Sequence, residues 1–171
     1  MWFLLVFVLA LSFRLWTLSV SLRHEKALKA AGATEFDTTN SMLLAIVHAL
    51  FYLAALLEAF IRRPRFDQIS LLGLVLYLAS VFVLLTVIRL LGRFWTLKLI
   101  LAKDHVLLTH PLFTTFRHPN YFLAIVPELL GLALCLHAFA TLFAGGLLYA
   151  VPLYRRIREE ERLMKTNFPA Y

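Results

Sequence analysis

Between Pro119 and Tyr154 the sequence runs for 36 residues with few polar side chains, and as one straight helix it would be roughly 54 Å long. A bilayer's hydrocarbon core is only about 30 Å thick, so this run must fold back on itself. The break is expected around His137 to Thr141, which gives two short spans joined by a tight turn. Three more apolar runs precede it, Met1–Leu22, Ser41–Ile61 and Ile69–Leu91, and each is about as long as one crossing requires. The expected fold is therefore an all-α integral membrane protein with about five transmembrane helices. The bulk figures agree: 61% of the 171 residues are hydrophobic and only 16% are charged, well below the charged share of soluble domains.

The first run is read as a span and not as a signal peptide. No basic region precedes it, no small-residue cleavage site follows it, and Arg14 lies inside it. Orientation follows from Lys and Arg, which favour cytoplasmic flanks. With five spans, 23–40, 89–118 and 155–171 share one face and hold 13 of these residues, whereas the other face has three, all in "IRRPRFDQ". The first face is expected to be cytoplasmic and the amino terminus outside. The net charge of +7 then reports topology and contact with anionic lipid headgroups, not nucleic-acid binding. Cys135 is the only cysteine, so no intrachain disulfide can form.

No internal repeat, low-complexity tract or domain-sized linker interrupts the chain, so residues 1–171 form a single membrane domain. The segment "RHEKALKAAGATEFDTTN" reads as a loop, with turn chemistry at Asp37 to Ser41. The connector from Arg89 to His118 is long for a helix-to-helix link, and long connections in compact domains are often functional. It is expected to form a small amphipathic cap on the membrane surface.

Chemistry gathers at the end of that connector. Pro119 suits the first position of a helix, whose amino terminus favours anions. Arg117 and His118 stand just outside it, and Tyr121 lies on its first turn. The tail "YRRIREEERLMKTNFPAY" carries alternating charge, with Arg156 and Glu160 one helical turn apart; on spacing alone it reads first as a solvated helix laced with ion pairs. Glu128 is an ionisable residue inside a span, by default a functional hypothesis, with pairing to backbone freed at Pro127 as the alternative. The sequence contains no GxGxxG, P-loop or HExxH pattern. The six histidines lack the spacing of a helical metal site, and His48 and His137 read as helix-packing histidines ahead of haem ligands.

"HVLLTHPLFTTFRHPNY", a two-span hairpin and "RRIREEERLMKTNFPAY" together resemble the isoprenylcysteine carboxyl methyltransferase family, which includes bacterial and phospholipid methyltransferases. The pattern is RHPxY, a glycine ten residues beyond the tyrosine (Gly131), a hairpin, Arg-x-x-x-Glu-Glu, and a terminal Phe and Tyr. It covers about Phe94 to Tyr171, and "RFWTLKLI", "RHPNY" and "PEL" are most similar to the bacterial branch associated with alkylpyrone methylation. The resemblance implies three amino-terminal spans (1–91) and a methyltransferase core (92–171) with an S-adenosylmethionine pocket on the cytoplasmic face. Carried over by position, the cofactor is held by Lys98, His105, Val106, Leu107, Leu108, Phe113, His118, Pro119, Asn120, Tyr121 and Glu160. Arg156 faces the acidic group of the substrate, and Arg117 belongs to the same constellation. The implied catalytic set is Arg117, Arg156 and Glu160.

Two positions depart from the family pattern: Phe113 stands where a tyrosine is usual, and the tail reads "FPAY" where a glycine usually follows the phenylalanine. The implied reaction is transfer of a methyl group to an oxygen, a carboxylate or acidic hydroxyl, of a prenylcysteine-like or alkylpyrone-like molecule. The implied setting is a bacterial inner membrane, with membrane lipids and the lipophilic substrate as partners and no obligate protein partner. A membrane reductase using a nicotinamide cofactor and a non-catalytic scaffold are the alternative readings.

Overall fold

A computed structural model describes residues 1–102, 110–116 and 118–167. Helix α1 spans Trp2–Ala30, α2 Thr38–Arg62 and α3 Gln68–Leu91. These three are long and apolar enough to cross a membrane. After a short connector comes the five-residue helix α4, Pro111–Thr115. A π-wound turn, Asn120–Ile125, then runs directly into α5, Val126–Cys135, and α6 follows as Phe139–Asn167. The hairpin between α5 and α6 turns at residues 136–138, with His137 in the left-handed region at φ 56°. This is at the leading edge of the expected break.

The reading of 23–40 as a loop is corrected. Helix α1 continues through "RHEKALKA" to Ala30, because Glu, Lys, Leu and Ala are strong helix formers and Lys29 pairs with Glu25 one turn back at 2.6 Å. Gly32, at φ 82°, supplies the conformation that turns the chain away. The residues that follow form strand β1, Thr34–Phe36, antiparallel to β2, Leu99–Leu101. A two-stranded ribbon thus joins the α1–α2 link to the long connector, where a loop and an amphipathic cap were expected. Lys98 fastens it, reaching Glu25 at 2.7 Å and Glu35 at 3.3 Å.

The helices meet most closely where α3 crosses α5. A Cβ on Gly73 would lie 2.2 Å from the Cys135 nitrogen, and one on Gly131 would lie 2.6 Å from the Tyr77 nitrogen. Bare backbone faces bare backbone, the usual way for helices to approach in lipid. Gly131, the motif glycine beyond Tyr121, is therefore a packing residue. The π turn accommodates Pro127. A proline nitrogen cannot donate, and its ring collides with the carbonyl four residues back. The Val126 N–H bonds to Tyr121 O, five residues back, which widens the coil immediately before the proline.

The two ends of the bundle are tied differently. At one end the Glu58 carboxylate accepts from the N–H groups of Ala140 and Thr141 at 3.0 and 2.8 Å, capping α6 from α2. His137 Nε2 lies 3.0 Å from both Asp67 Oδ1 and Ser70 Oγ, and Trp2 Nε1 donates to Pro64 O at 3.2 Å. At the other end, α1 is fastened to the connector through His24 Nδ1 to Trp95 O, 2.8 Å, and Leu97 N–H to Ser21 Oγ, 2.8 Å. Midway between them, Glu128 on α5 accepts from both Nε and a terminal nitrogen of Arg14 on α1, and from the Tyr52 hydroxyl on α2.

Two stability outcomes follow from this packing. Gly131→Ala forces backbone apart at the α3–α5 crossing and should cost about 1–3 kcal/mol, read as a lowered thermal midpoint in detergent. Arg14→Met alone strands the Glu128 carboxylate and should cost about 3–5 kcal/mol, whereas Arg14→Met with Glu128→Leu removes both charges and should recover most of that loss.

Candidate functional site

Four segments converge where the connector meets the π turn that leads into α5: the start of α2, residues 95–98, residues 118–121 and the middle of α6. Arg156 is the pivot. It is 3% exposed, and each of its three nitrogens has a protein partner. Nε donates to the Tyr121 hydroxyl at 3.1 Å, one terminal nitrogen to Ser41 Oγ at 2.6 Å, and the other to Leu97 O at 3.1 Å. The arginine therefore locks α6 to α2, to the connector and to the turn of RHPxY. The adjacent Asn40 adds a fourth tie, donating to Pro152 O at 3.0 Å.

Glu160, one turn further along α6, completes the cluster. The Tyr121 hydroxyl donates to Glu160 Oε2 at 2.6 Å while accepting from Arg156, so the tyrosine relays between an arginine and a carboxylate. His118 is buried beside them, its ring stacked on Tyr121 with centroids 5.9 Å apart and planes at 28°. Its Nδ1 is 3.4 Å from Glu160 and its Nε2 3.3 Å from Glu161. Burial pushes the Glu160 carboxyl up, but hydrogen bonds from His118 and Tyr121 outweigh this and hold it below the usual range. Burial likewise pulls the His118 imidazole down, and the hydrogen bond and charge of Glu160, with those of Glu161, raise it overall. Both directions favour an imidazolium facing carboxylates.

The carboxylates are the open side of this cluster, with side chains 29% exposed at Glu160 and 24% at Glu161. Glu161 also lines an open groove of about 640 Å³ that runs along α6 past Arg155, Arg158 and Lys165, a volume within the range of small-molecule sites. Two partly exposed carboxylates and a buried histidine nitrogen suit a cationic ligand bearing hydroxyls. The described residues hold no group of three or more His, Cys, Asp or Glu arranged for a metal ion.

Of the residues singled out from sequence, the structure brings His118, Tyr121, Arg156 and Glu160 together. Pro119 is buried and opens the helix, with His118 O accepting from the Tyr121 and Phe122 N–H groups. Asn120 sits on the flank, accepting from Trp95 Nε1 at 3.5 Å. Phe113 packs with Val20, Leu84, Val87, Trp95 and Ala124 beneath α4. Lys98 is engaged with Glu25 and Glu35. His105, Val106, Leu107, Leu108 and Arg117 lie outside the described residues, as does the "FPAY" tail.

Sequence reasoning missed Ser41, the Leu97 carbonyl and Glu161. Nothing in the sequence marks a lone serine or a backbone oxygen as the partner of a distant arginine. It also missed the Arg14–Glu128 pair, for which a signal existed: these are opposite charges within different apolar runs, and such charges tend to find each other.

Comparisons with known proteins fit this geometry. Residues 71–166 match the Isoprenylcysteine carboxyl methyltransferase (ICMT) family, a stretch that contains Gly73, Gly131 and all four converging site residues. A Haemophilus influenzae protein named only "Uncharacterized protein" is 41% identical over 165 residues, 96% of each chain. "Uncharacterized protein YpbQ" of Bacillus subtilis is 26% identical over 166 residues, 96% of this chain and 97% of its own. No solved structure matches the chain. With the family match covering more than half of its length, the chain belongs to the isoprenylcysteine carboxyl methyltransferase family of membrane enzymes, which generally use S-adenosylmethionine.

Proposed function

We propose that this chain transfers a methyl group from S-adenosylmethionine to an oxygen of a lipophilic acceptor, a carboxylate or acidic hydroxyl on a prenylcysteine-like or alkylpyrone-like molecule. The observation that carries the reading is the His118–Tyr121–Arg156–Glu160 cluster, set at the mouth of an apolar helix hairpin within the family's matched region. A water-soluble cofactor reaches such a site from the aqueous side, and a lipid tail reaches it from the membrane. The bias of 13 basic residues to three supports five spans with the amino terminus outside and the site and carboxyl terminus cytoplasmic. A bacterial inner membrane is the corresponding location.

When bound, S-adenosylmethionine supplies an electrophilic methyl group on a sulfonium. The chain's own task is then mainly position and exclusion of water. Glu160 and Glu161 offer carboxylates to the cationic and hydroxyl-bearing parts of the cofactor. Tyr121 fixes Glu160 in place. Arg156 uses three N–H groups on Ser41, Leu97 and Tyr121, and a guanidinium has five. Up to two remain to orient an acidic oxygen. An anionic oxygen nucleophile needs no strong base, in keeping with a cluster that contains no nucleophile–base–acid triad.

Titration of S-adenosylhomocysteine into the detergent-purified protein should show micromolar binding. Glu160→Ala should weaken it at least tenfold, as expected for loss of a charged hydrogen-bonding partner, and Tyr121→Phe should weaken it less. Absence of binding by a folded parent would overturn the reading.

Affinity should also depend on pH. The raised His118 charges the imidazole up to a higher pH than usual, and that charge is lost as pH rises through its folded value; the depressed Glu160 loses its charge as pH falls through its own. Binding should therefore weaken as pH falls through the Glu160 value, where the carboxylate that receives the cationic part of the ligand is neutralised, and His118→Asn, which removes a group that holds Glu160 ionised, should move that acid limb to higher pH. Transfer of labelled methyl to lipid acceptors should be abolished by Arg156→Ala and partly retained by Arg156→Lys, with helix content unchanged in both.

A further inference from the structure

Eight polar residues inside the bundle stand in two layers separated by the same interval on four helices. On α1 the step is from Ser21 to Arg14, on α2 from Ser41 to His48, from Tyr121 in the π turn to Glu128 on α5, and on α6 from Arg156 to Tyr149. Each is seven residues, which on α1, α2 and α6 is two α-helical turns or about 10 Å, whereas the step from Tyr121 to Glu128 crosses the π turn. The outer layer is the candidate active site. The inner layer contains Arg14, His48, Tyr52, Glu128 and Tyr149, and the proposed reaction assigns none of them a role.

Most of the inner layer is internally satisfied. Glu128, 1% exposed, is held by Arg14 and the Tyr52 hydroxyl. His48 is the exception within this set, and the hydroxyl of the neighbouring Tyr77 on α3 is likewise buried without a hydrogen-bond partner. The His48 ring stacks on Tyr52, with centroids 5.1 Å apart, and Nδ1 meets the Tyr149 hydroxyl at 3.5 Å. Its Nε2 is buried, lies 3.7 Å from Glu128 Oε1 and has no hydrogen-bond partner. Yet its side chain, like that of Arg14, is not sealed: they are 17% and 13% exposed. In a membrane the surface they reach is lipid, where a polar atom has no water to turn to.

We propose that this inner layer is an intramembrane subsite for an uncharged, oxygen-bearing group of the lipophilic methyl acceptor, with His48 Nε2 as its hydrogen-bond donor. The proposal rests on the methyltransferase reading for the identity of the ligand as an acceptor, and on the layer's own geometry for its chemistry. The nearby Glu128 carboxylate favours the tautomer with the proton on Nε2, so the complementary ligand group is a carbonyl, ether or hydroxyl oxygen. The charge of the ligand group follows from its surroundings. Arg14 and Glu128 already neutralise each other, and a further formal charge in this low-dielectric layer would lack a counter-charge. An acceptor with a polar group about 10 Å along its length from the reacting oxygen would engage both layers at once, so the subsite selects acceptors by the position of that second group.

The test is photo-crosslinking in nanodiscs with two probes, hexadecanol and palmitate, each bearing a diazirine beside its head group, at a pH where palmitate is ionised. Labelled peptides are mapped by mass spectrometry, and S-adenosylhomocysteine is titrated into the same nanodiscs. The alcohol should label residues 45–52 and 145–152 at least fivefold more than the acid. His48→Phe, which keeps an aromatic ring against Tyr52, should remove that preference without changing S-adenosylhomocysteine affinity by more than twofold; Tyr149→Phe, which frees His48 Nδ1, should preserve labelling. Equal labelling by both probes, or alcohol labelling indifferent to His48→Phe, would overturn the subsite while leaving the cofactor reading intact. Selective, His48-dependent labelling in a protein that fails to bind S-adenosylhomocysteine would uphold the subsite's chemistry and overturn its assignment to a methyl acceptor.

Discussion

The bonds between Arg14 and Glu128 are the constraint around which the membrane-embedded part is arranged. Neither charge is tolerable alone in hydrocarbon, and each makes the other's position necessary. Their contact fixes the rotation of α1 relative to α5, and Tyr52 extends the same constraint to α2. Because the π turn that carries Tyr121 runs directly into α5, whatever sets the rotation of α5 also sets the direction of Tyr121. A buried ion pair is weak evidence of stability, since apolar replacements often serve as well. Its value here is registry: among apolar helices that slide easily past one another, a unique charge pair admits one alignment.

The α3–α5 crossing provides the rigid side of that arrangement. With Gly73 and Gly131 in backbone contact, α5 is fixed against α3 with no side chain to yield between them. Registry set at Glu128 is therefore passed to the site without slack. The π turn at Asn120–Ile125 sits between these two anchors and the cluster. It absorbs the proline that would otherwise collide with the preceding turn, and it does so with Tyr121 and Glu128 both directed into the bundle. Wide turns of this kind recur at functional positions because an irregular ladder re-aims side chains that a regular one would misplace.

What the sequence disclosed, and what it withheld, divides along one physical line. Apolar runs of span length and a run too long to cross once are properties of composition and length, and they located α2, α3 and the α5–α6 hairpin to within a few residues. The convergence of His118, Tyr121, Arg156 and Glu160 was legible through the motif that links them, since spacing within α6 puts Arg156 and Glu160 on one face and Pro119 starts the helix that carries Tyr121. The partners of Arg156 were not legible, because Ser41 and Leu97 meet it only through tertiary approach. The β1–β2 ribbon was hidden for the same reason: three-residue strands owe their existence to each other, across more than sixty residues of chain, and neither "TEF" nor "LIL" has a period long enough to read. Glu128 was noticed as an anomaly but its partner was not, although Arg14 was already in view as the feature that spoils a signal peptide.

The seven-residue step shared by four helices explains why one bundle carries two polar layers without losing its fold. On α1, α2 and α6 seven residues are close to two full turns, so a side chain seven positions away points in nearly the same direction, drifted by only about 20°; on the fourth helix the π turn sets the relative direction of Tyr121 and Glu128. A helix that aims one residue at the site cluster therefore aims the residue seven positions away at the same inner axis, about 10 Å along the bundle. Placing polar residues at that spacing on only one helix would bury an unpaired group. Doing so on four gives Glu128 its Arg14 and Tyr52, and His48 its Tyr149. On those three helices the inner layer repeats the phase of the outer one, and among its members His48 Nε2 is the buried nitrogen left without a hydrogen-bond partner.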